Sequence, residues 1–86
     1  MNIRSDTMKI LMIEDNNSVS AMMAMFFKKE QWEATFAYDG EEGVDKFNEA
    51  NGDYDIILLD LNLPKKDGMQ VAADIRRESP TIPIIM

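Results

Sequence analysis

The sequence predicts an α/β domain built on a parallel sheet, and two observations lead to this fold class. Short apolar runs alternate with segments whose apolar residues recur every three or four positions, so strand and helix alternate along the chain. The first and third apolar runs are almost wholly hydrophobic, as expected for strands that helices cover on both faces. Such alternation implies right-handed crossovers between parallel strands.

The first half of the chain predicts a strand over residues 8–13, a helix over about 18–30 and a second strand over 32–38. Ser18 is a fair N-cap for the helix, and basic residues suit its C-terminal end. The apolar stripe of this helix consists of Val19, Met22, Met23, Phe26 and Phe27. The second strand alternates only loosely, which indicates an edge position.

The second helix is predicted to begin at Asp39, because Asp39 and Glu42 resemble a capping box with Asp in place of Ser or Thr. It ends at Asn51-Gly52. The third strand, over 54–61, is predicted to be central because of its apolar content. A loop marked by Pro and Gly follows this strand.

Asp67 is predicted to cap the third helix, which ends near Glu78. The chain then finishes on an apolar fourth strand over residues 82–86.

Composition limits the chemistry that is available. The 86 residues form one small domain in which 45% of residues are hydrophobic. A net charge of −7 opposes attraction to nucleic acid and anionic lipid, so we expect neither as a direct partner. The chain has no cysteine and no histidine. Disulfides, thiolate metal sites and imidazole chemistry are therefore excluded, and carboxylates, hydroxyls or lysines must carry any reaction.

The location and boundaries of the folded part are also predicted. The apolar runs are far too short to span a membrane, and no hydrophobic region of the signal-peptide kind is visible, so we expect a cytoplasmic protein. Residues 1–7 are polar and precede the first periodic run, which indicates an N-terminal extension. Residues 8–86 form the predicted folded part.

Carboxylates follow two neighbouring strands of the predicted sheet. Glu14 and Asp15 end the first strand, and Asp60 ends the third. The carboxyl ends of parallel strands meet at one edge, so these side chains should converge. Like charges that lie close together repel unless a cation or a shared proton offsets them. The pattern predicts an oxygen-ligand site for a hard divalent cation such as Mg2+, beside a carboxylate that can act as a nucleophile.

A longer motif lies in register with these acids. Asp60, Pro64 and Gly68 form the pattern D-x-x-x-P-x-x-x-G, and the chain finishes on Pro-Ile-Ile-Met. With the Glu14-Asp15 pair, these features make residues 8–86 similar to the receiver (CheY-like) domain of two-component response regulators. The resemblance implies a flavodoxin-like three-layer sandwich with strand order 2-1-3-4. It also implies that the chain is the N-terminal portion of such a domain, with the fifth strand absent.

The resemblance implies a role for each acidic residue. Asp60 corresponds to the phosphoacceptor, which receives a phosphoryl group from the phosphohistidine of a sensor histidine kinase. Asp15, Asp60 and the backbone carbonyl of Asn62 correspond to direct Mg2+ ligands, and Glu14 acts through a coordinated water. The Asn62 side chain is expected to tune the lifetime of the phosphoryl group. The implied protein is a switch module with self-catalysed phosphorylation and dephosphorylation, which signals to an output domain, DNA-binding or otherwise, or to a partner.

The chain departs from the family pattern in two places. Gln31 stands where many members have a glycine that ends the first helix, and the chain also differs at its end. The family places a Ser or Thr after the fourth strand and a Lys after the fifth, and the sequence stops at Met86 before either position. We therefore expect the 86 residues to bind Mg2+ but to phosphorylate poorly and not to switch. We also expect the edge formed by residues 82–86 to associate with another chain, to exchange strands, or to be poorly ordered.

Two rival functions and several milder interpretations remain open from the residues. A phosphatase of the haloacid dehalogenase type also uses a nucleophilic Asp, but it needs a second acid where this chain has Asn62. A receiver-like scaffold that is never phosphorylated is the other rival, against which the three intact carboxylates argue. Asp53 and Asp55 are expected to be solvated turn residues. The Lys65-Lys66 pair is expected to be a solvated part of the loop, with kinase steering as the alternative.

Overall fold

The computed structural model describes residues 7–86, in which four strands alternate with three helices. The strands are β1 (Lys9–Ile13), β2 (Glu33–Ala37), β3 (Ile56–Leu59) and β4 (Ile84–Ile85), and the helices are α1 (Asn17–Lys29), α2 (Gly40–Glu49) and α3 (Gly68–Glu78). All strands are parallel, in the order β2-β1-β3-β4. The predicted fold class and strand order are confirmed. Apart from Thr7, the predicted extension over residues 1–7 lies outside the described residues.

The register of the sheet brings the ends of two central strands together. Ile13 of β1 lies opposite Leu59 of β3 and Ala37 of β2. The Asp60 N–H donates to the Ile13 carbonyl at 3.0 Å, and the Glu14 N–H donates to the Ala37 carbonyl at 3.0 Å. The first residues beyond β1 and β3 therefore leave the sheet side by side, both acidic.

The sheet is covered on both faces. This is expected because successive side chains of β1 point to opposite faces of the sheet and nearly all of them are apolar. Leu11 and Ile13 point to one face and are fully buried among residues from α2 and α3. Ile10 and Met12 point to the other face and pack with Phe27 of α1. The result is a three-layer sandwich in which α2 and α3 share one face and α1 covers the other.

Each helix begins at a polar cap, and one predicted cap was wrong. Asn16, rather than Ser18, caps α1, because its side-chain oxygen accepts hydrogen bonds from the N–H groups of Ser18 (2.9 Å) and Val19 (3.1 Å). Asp39 caps α2 as predicted, and its side chain accepts from the Glu42 N–H at 2.8 Å. Asp67 caps α3, also as predicted, by accepting from the Gln70 N–H.

At the end of α1, Gln31 adopts a left-handed backbone conformation that is usually taken by glycine. Gln31 has a φ of 64°, which costs about 1 kcal/mol for a side chain other than glycine. Its N–H donates to the Lys28 carbonyl, and the next N–H, from Trp32, donates to the Phe27 carbonyl at 2.9 Å. This pair of bonds is a Schellman motif. The Trp32 ring also lies 6.3 Å from the Phe27 ring, the hydrophobic contact that accompanies this motif.

The last strands are shorter than predicted. β3 covers Ile56–Leu59 rather than residues 54–61, and β4 covers Ile84–Ile85 rather than residues 82–86. Ile82 instead packs into the core beside α3, and Pro83 has no N–H to offer a ladder.

The fourth strand has one partner within the described chain. It pairs with β3, and within residues 7–86 no strand lies on its other side. Ile85 and Met86 are about half exposed there, 54% and 55%. Association or strand exchange through this edge stays a prediction.

Within residues 7–86, no helix is long and apolar enough to cross a membrane.

Candidate functional site

The structure brings together the three carboxylates that the sequence predicts. Glu14 and Asp15 follow β1 and Asp60 follows β3, and each offers a carboxylate oxygen such that all three atoms lie within 4.8 Å of one another. We call these three residues the acidic cluster. Glu14 and Asp60 are half-buried, and Asp15 is exposed. In the part of the chain that the structure describes, no lysine or arginine forms an ion pair with any of the three.

The electrostatics of the acidic cluster follow from this geometry. Burial raises the pKa of Glu14 above its ordinary value, and the neighbouring charges of Asp60 and Asp15 raise it further. A hydrogen bond from the Asn16 N–H, at 3.1 Å, acts in the opposite direction. The cluster therefore concentrates negative charge that only a proton or a bound cation can offset. Oxygen ligands in this arrangement fit a hard divalent cation.

Asp60 is held in place and remains reachable. One of its carboxylate oxygens, Oδ1, accepts a hydrogen bond from the Asn62 N–H at 3.1 Å. A groove of about 320 Å³ is lined by Glu14, Asp60, the last residues of β1 and β3, and Ile85 and Met86 at the end of the chain. The role predicted for the Asn62 carbonyl stays a prediction.

The loop after Asp60 closes tightly onto the start of α3. The Gly68 N–H donates to the Leu61 carbonyl at 3.0 Å, and a Cβ atom added at Gly68 would lie 2.6 Å from the Asp60 carbonyl oxygen. No side chain fits there, because real Cβ contacts of this length essentially never occur. Glycine is required at position 68 because the backbone of residues 60 and 61 approaches it closely. Its backbone is not left-handed.

The sequence interpretation missed the partners of the two lysines in this loop. Lys66 is not a solvated residue, because its Nζ lies 2.5 Å from Oδ2 of Asp74 on α3. Lys65 remains mostly exposed, with its Nζ 3.6 Å from Oδ2 of Asp39. No sequence pattern identifies Asp74 as the partner of Lys66, since one residue lies in a loop and the other two turns into a helix.

Asp53 and Asp55 lie away from the acidic cluster, as expected. They stand at the opposite end of the sheet, before β3. Lys9 binds both of them, through its Nζ to Asp53 and through its backbone N–H to Asp55, each at 2.7 Å. They are paired turn residues and not members of the site.

Comparison with known proteins agrees with this geometry. Residues 10–86 match the description of the response regulator receiver domain family. The chain is 54% identical over 79 residues to the uncharacterized transcriptional regulatory protein YclJ of Bacillus subtilis (strain 168), a match that covers 92% of this chain and 34% of YclJ. It is 40% identical over 78 residues to the transcriptional regulatory protein ResD of the same organism, a match that covers 91% of this chain and 31% of ResD. The chain thus spans about a third of the length of these relatives.

Solved structures show the same fold. One is a CheY from Borrelia burgdorferi in a complex with CheX, BeF3 and Mg2+, with a TM-score of 0.85, 28% identity, and coverage of 92% of this chain and 60% of that one. Another is the receiver domain of the hybrid histidine kinase CckA, with a TM-score of 0.82, 29% identity, and coverage of 88% and 70%. A CheY-like receiver protein from Methanospirillum hungatei JF-1, at 22% identity and a TM-score of 0.86, covers 94% and 63% and shares the fold.

Proposed function

Because this chain belongs to the response regulator receiver domain family, we propose that it is the phosphoacceptor module of a two-component signalling system, with Asp60 as the acceptor. The observation that carries the assignment is the acidic cluster, whose carboxylate oxygens gather within 4.8 Å at the carboxyl edge of the sheet. Asp60 is the member of the cluster that begins the D-x-x-x-P-x-x-x-G loop. It is half-buried, bordered by a groove and oriented by the Asn62 N–H.

The proposed reaction transfers a phosphoryl group to an oxygen of the Asp60 carboxylate. That oxygen attacks the phosphorus of a phosphohistidine on a sensor histidine kinase, forming a P–O bond as the P–N bond breaks. The bonding electron pair returns to the imidazole nitrogen, which then takes up a proton. The product on this chain is an acyl phosphate. Transfer of this kind depends mainly on positioning and electrostatics, so the orientation of Asp60 is the main contribution of the protein.

A divalent cation fits this proposal, because a carboxylate is a poor nucleophile toward another anion. Mg2+ would be held by Asp15, Asp60 and the Asn62 backbone carbonyl, with Glu14 acting through a water molecule. When bound, it would screen the phosphoryl oxygens and the acidic cluster. The Borrelia burgdorferi relative, in a complex that contains Mg2+ and BeF3, supports the choice of Mg2+.

We further propose that the chain is a signal-transfer module and not a turnover enzyme. Its donor would be a sensor histidine kinase, and its output would be a conformational change passed to another domain. YclJ and ResD are transcriptional regulatory proteins about three times as long as the aligned region. A DNA-binding output domain linked to this chain is therefore part of the proposal.

The test uses acetyl phosphate as a chemical donor, with Mg2+, on the natural protein that contains this sequence. We expect one labelled carboxylate, sensitive to hydroxylamine as acyl phosphates are, and no label in Asp60→Asn. Asp53→Asn is the matched control, because it makes the same substitution at the opposite end of the sheet, and it should label normally. Label that persists in Asp60→Asn would show that Asp60 is not the acceptor.

The same assay on the 86-residue chain addresses the narrower expectation that it binds Mg2+ but phosphorylates poorly. Cation binding is followed separately, by the broadening of the Mn2+ electron paramagnetic resonance signal. Labelling as strong as that of the natural protein would contradict the expectation of poor phosphorylation.

A further inference from the structure

The loop of residues 61–67, which we call the acceptor loop, is pressed against the beginning of α2. The Gly40 N–H donates to the Pro64 carbonyl at 3.3 Å, and the Asp39 carboxylate lies 3.6 Å from the Lys65 Nζ. A Cβ atom added at Gly40 would lie 2.0 Å from the Lys66 carbonyl oxygen. The backbones of α2 and the acceptor loop therefore touch directly, with no room for a side chain between them.

On its other side, the acceptor loop is tied to α3 by one ion pair. Lys66 Nζ lies 2.5 Å from Asp74 Oδ2, and the two side chains are only 26% and 14% exposed. The Lys9–Asp53 pair at the other end of the sheet is 42% and 71% exposed. The hydrogen bond from Lys66 is the main reason that the pKa of Asp74 lies below its usual value. A shielded pair of this kind interacts more strongly than an exposed pair.

The acceptor loop needs such restraints because its backbone is not relaxed. Lys65 has a φ of 71°, a left-handed conformation that costs about 1 kcal/mol and persists where surrounding contacts hold it. The Lys66 N–H donates back to the Pro64 carbonyl at 2.8 Å, which makes this part of the loop a tight turn. The residues around Lys65 are thus held from both sides.

The restrained turn lies close to the acceptor in the chain. Asn62 joins the two, since its N–H donates to the Asp60 carboxylate at one end of the loop. Pro64, bonded to Gly40, stands only two residues further on. A shift of the turn therefore moves the backbone of Asn62 relative to Asp60.

We propose that Lys66 and Asp74 are positioning residues for the Asp60 site, because their ion pair holds the acceptor loop in the conformation that orients the Asn62 backbone. The proposal rests on the proposed function, since the predicted cation ligands include the Asn62 carbonyl. Neither residue touches the reacting groups. Their effect is exerted through the loop.

The first test measures loop order without any cation. Hydrogen exchange of the Asn62 amide, followed by NMR, should become about tenfold faster in Lys66→Met and in Asp74→Asn, as expected for loss of a local restraint on the order of 1.4 kcal/mol. Unchanged exchange in both variants overturns the proposal, whether or not the protein binds a cation. This readout is independent of the proposed function.

The second test uses Mn2+ as the probe and separates positioning from simple charge effects. If the pair positions the loop, Lys66→Met and Asp74→Asn should each weaken Mn2+ binding, by about tenfold as for other residues that orient metal ligands. The double variant should bind Mn2+ no more weakly than the single variant with the lower affinity. If charge alone matters, the two signs differ, because loss of a lysine favours a bound cation and loss of an aspartate opposes it. Opposite signs overturn the proposal.

Matched variants complete the design. Lys66→Arg keeps the pair and should keep the wild-type affinity. Lys9→Met makes the same change as Lys66→Met at the far end of the sheet, and it should leave Mn2+ affinity unchanged. Arg77, which also contacts Asp74, has a side chain that is 72% exposed, so Arg77→Met should have little effect.

A charge exchange tests the pair if a single variant fails to fold. Lys66→Asp combined with Asp74→Lys restores an ion pair at the same net charge, and it should return Mn2+ affinity to within about threefold of wild type, within the usual spread for such contacts. Failure of this exchange to improve on either of its component changes overturns the proposal. Wild-type protein that binds no Mn2+ would instead argue against the cation site of the proposed function. Hydrogen exchange of the Asn62 amide would then still decide whether the ion pair positions the loop.

Discussion

The two ends of the sheet carry the same residue type in opposite electrostatic settings. At the amino ends of the strands, Asp53 and Asp55 are both bound by Lys9. At the carboxyl ends, the acidic cluster has no basic partner within residues 7–86, and its carboxylates face one another. Paired carboxylates stabilise a fold, whereas clustered carboxylates without a cation oppose it. Within the described residues, the two ends therefore differ in whether a basic side chain lies beside their acids, and not in the presence of acids.

The largest expected effect is stabilisation by a divalent cation. Mg2+ at a hundred times its dissociation constant should raise the free energy of unfolding by about 2.7 kcal/mol, because it binds the folded state alone. Urea unfolding with and without Mg2+ measures this. Asp60→Asn should reduce the gain strongly, whereas Asp53→Asn should retain it. A gain that is equal in both variants would remove the distinction between the two ends.

The second prediction sharpens the comparison with one substitution made at each end. Without a cation, Asp60→Asn should stabilise the protein by about 1 kcal/mol, since it removes repulsion within the acidic cluster. Asp55→Asn should destabilise it by a smaller amount, because exposed charge interactions are weak. Urea unfolding in a chelating buffer measures both. Two changes of the same sign would contradict the contrast.

The third prediction concerns pH, and it arises from Glu14. Its pKa is raised above 4.5 in the folded state, chiefly by burial, so between 4.5 and that raised value the folded state binds more protons than the unfolded state. Glu14 therefore makes the cation-free protein less stable as the pH rises through this range. Glu14→Gln should remove that part of the slope in unfolding experiments. An unchanged slope would show that the cluster does not act as described.

Asp74 should act in the opposite direction at lower pH. Its pKa is depressed below 3.8, first by the hydrogen bond from Lys66, so its contribution to stability is complete above 3.8 and is lost as the pH falls below it. Lys66→Met should weaken this acid dependence. Acid unfolding followed by circular dichroism compares the two proteins, and identical acid transitions would argue that the ion pair is absent in solution.

The smallest effect is expected at the amino end of the sheet. The Lys9–Asp53 pair is exposed, so Asp53→Asn should change the midpoint of thermal unfolding only slightly. It should leave cation binding unchanged. A large loss of stability would mean that this end is as electrostatically important as the acidic cluster, and the comparison would have to be revised.

Local features explain which parts of the fold were predictable. The periodicity of the apolar residues predicted each strand and helix, and the Asp39 and Asp67 caps were confirmed because capping involves residues close in sequence. The Ser18 cap was wrong for a local reason, since Asn16 is an equally good cap two residues earlier and determined where the helix begins. β3 and β4 were predicted too long because apolar residues continue beyond the hydrogen-bonded ladder. Tyr54 and Ile82 pack against the core without belonging to a strand, and Leu61 and Met86 are exposed.

The sequence by itself determined the order of strands and helices, the family to which the chain belongs, and the acids that gather at one edge. These follow from residue order, because parallel strands necessarily place their carboxyl ends together. Only the tertiary structure decided that Lys9 forms an ion pair with Asp53 at one end, that no basic residue among those described pairs with the acidic cluster at the other, and that Lys66 pairs with Asp74. Ion pairs between distant segments depend on how helices and loops pack in three dimensions, and no periodicity in the sequence records that packing.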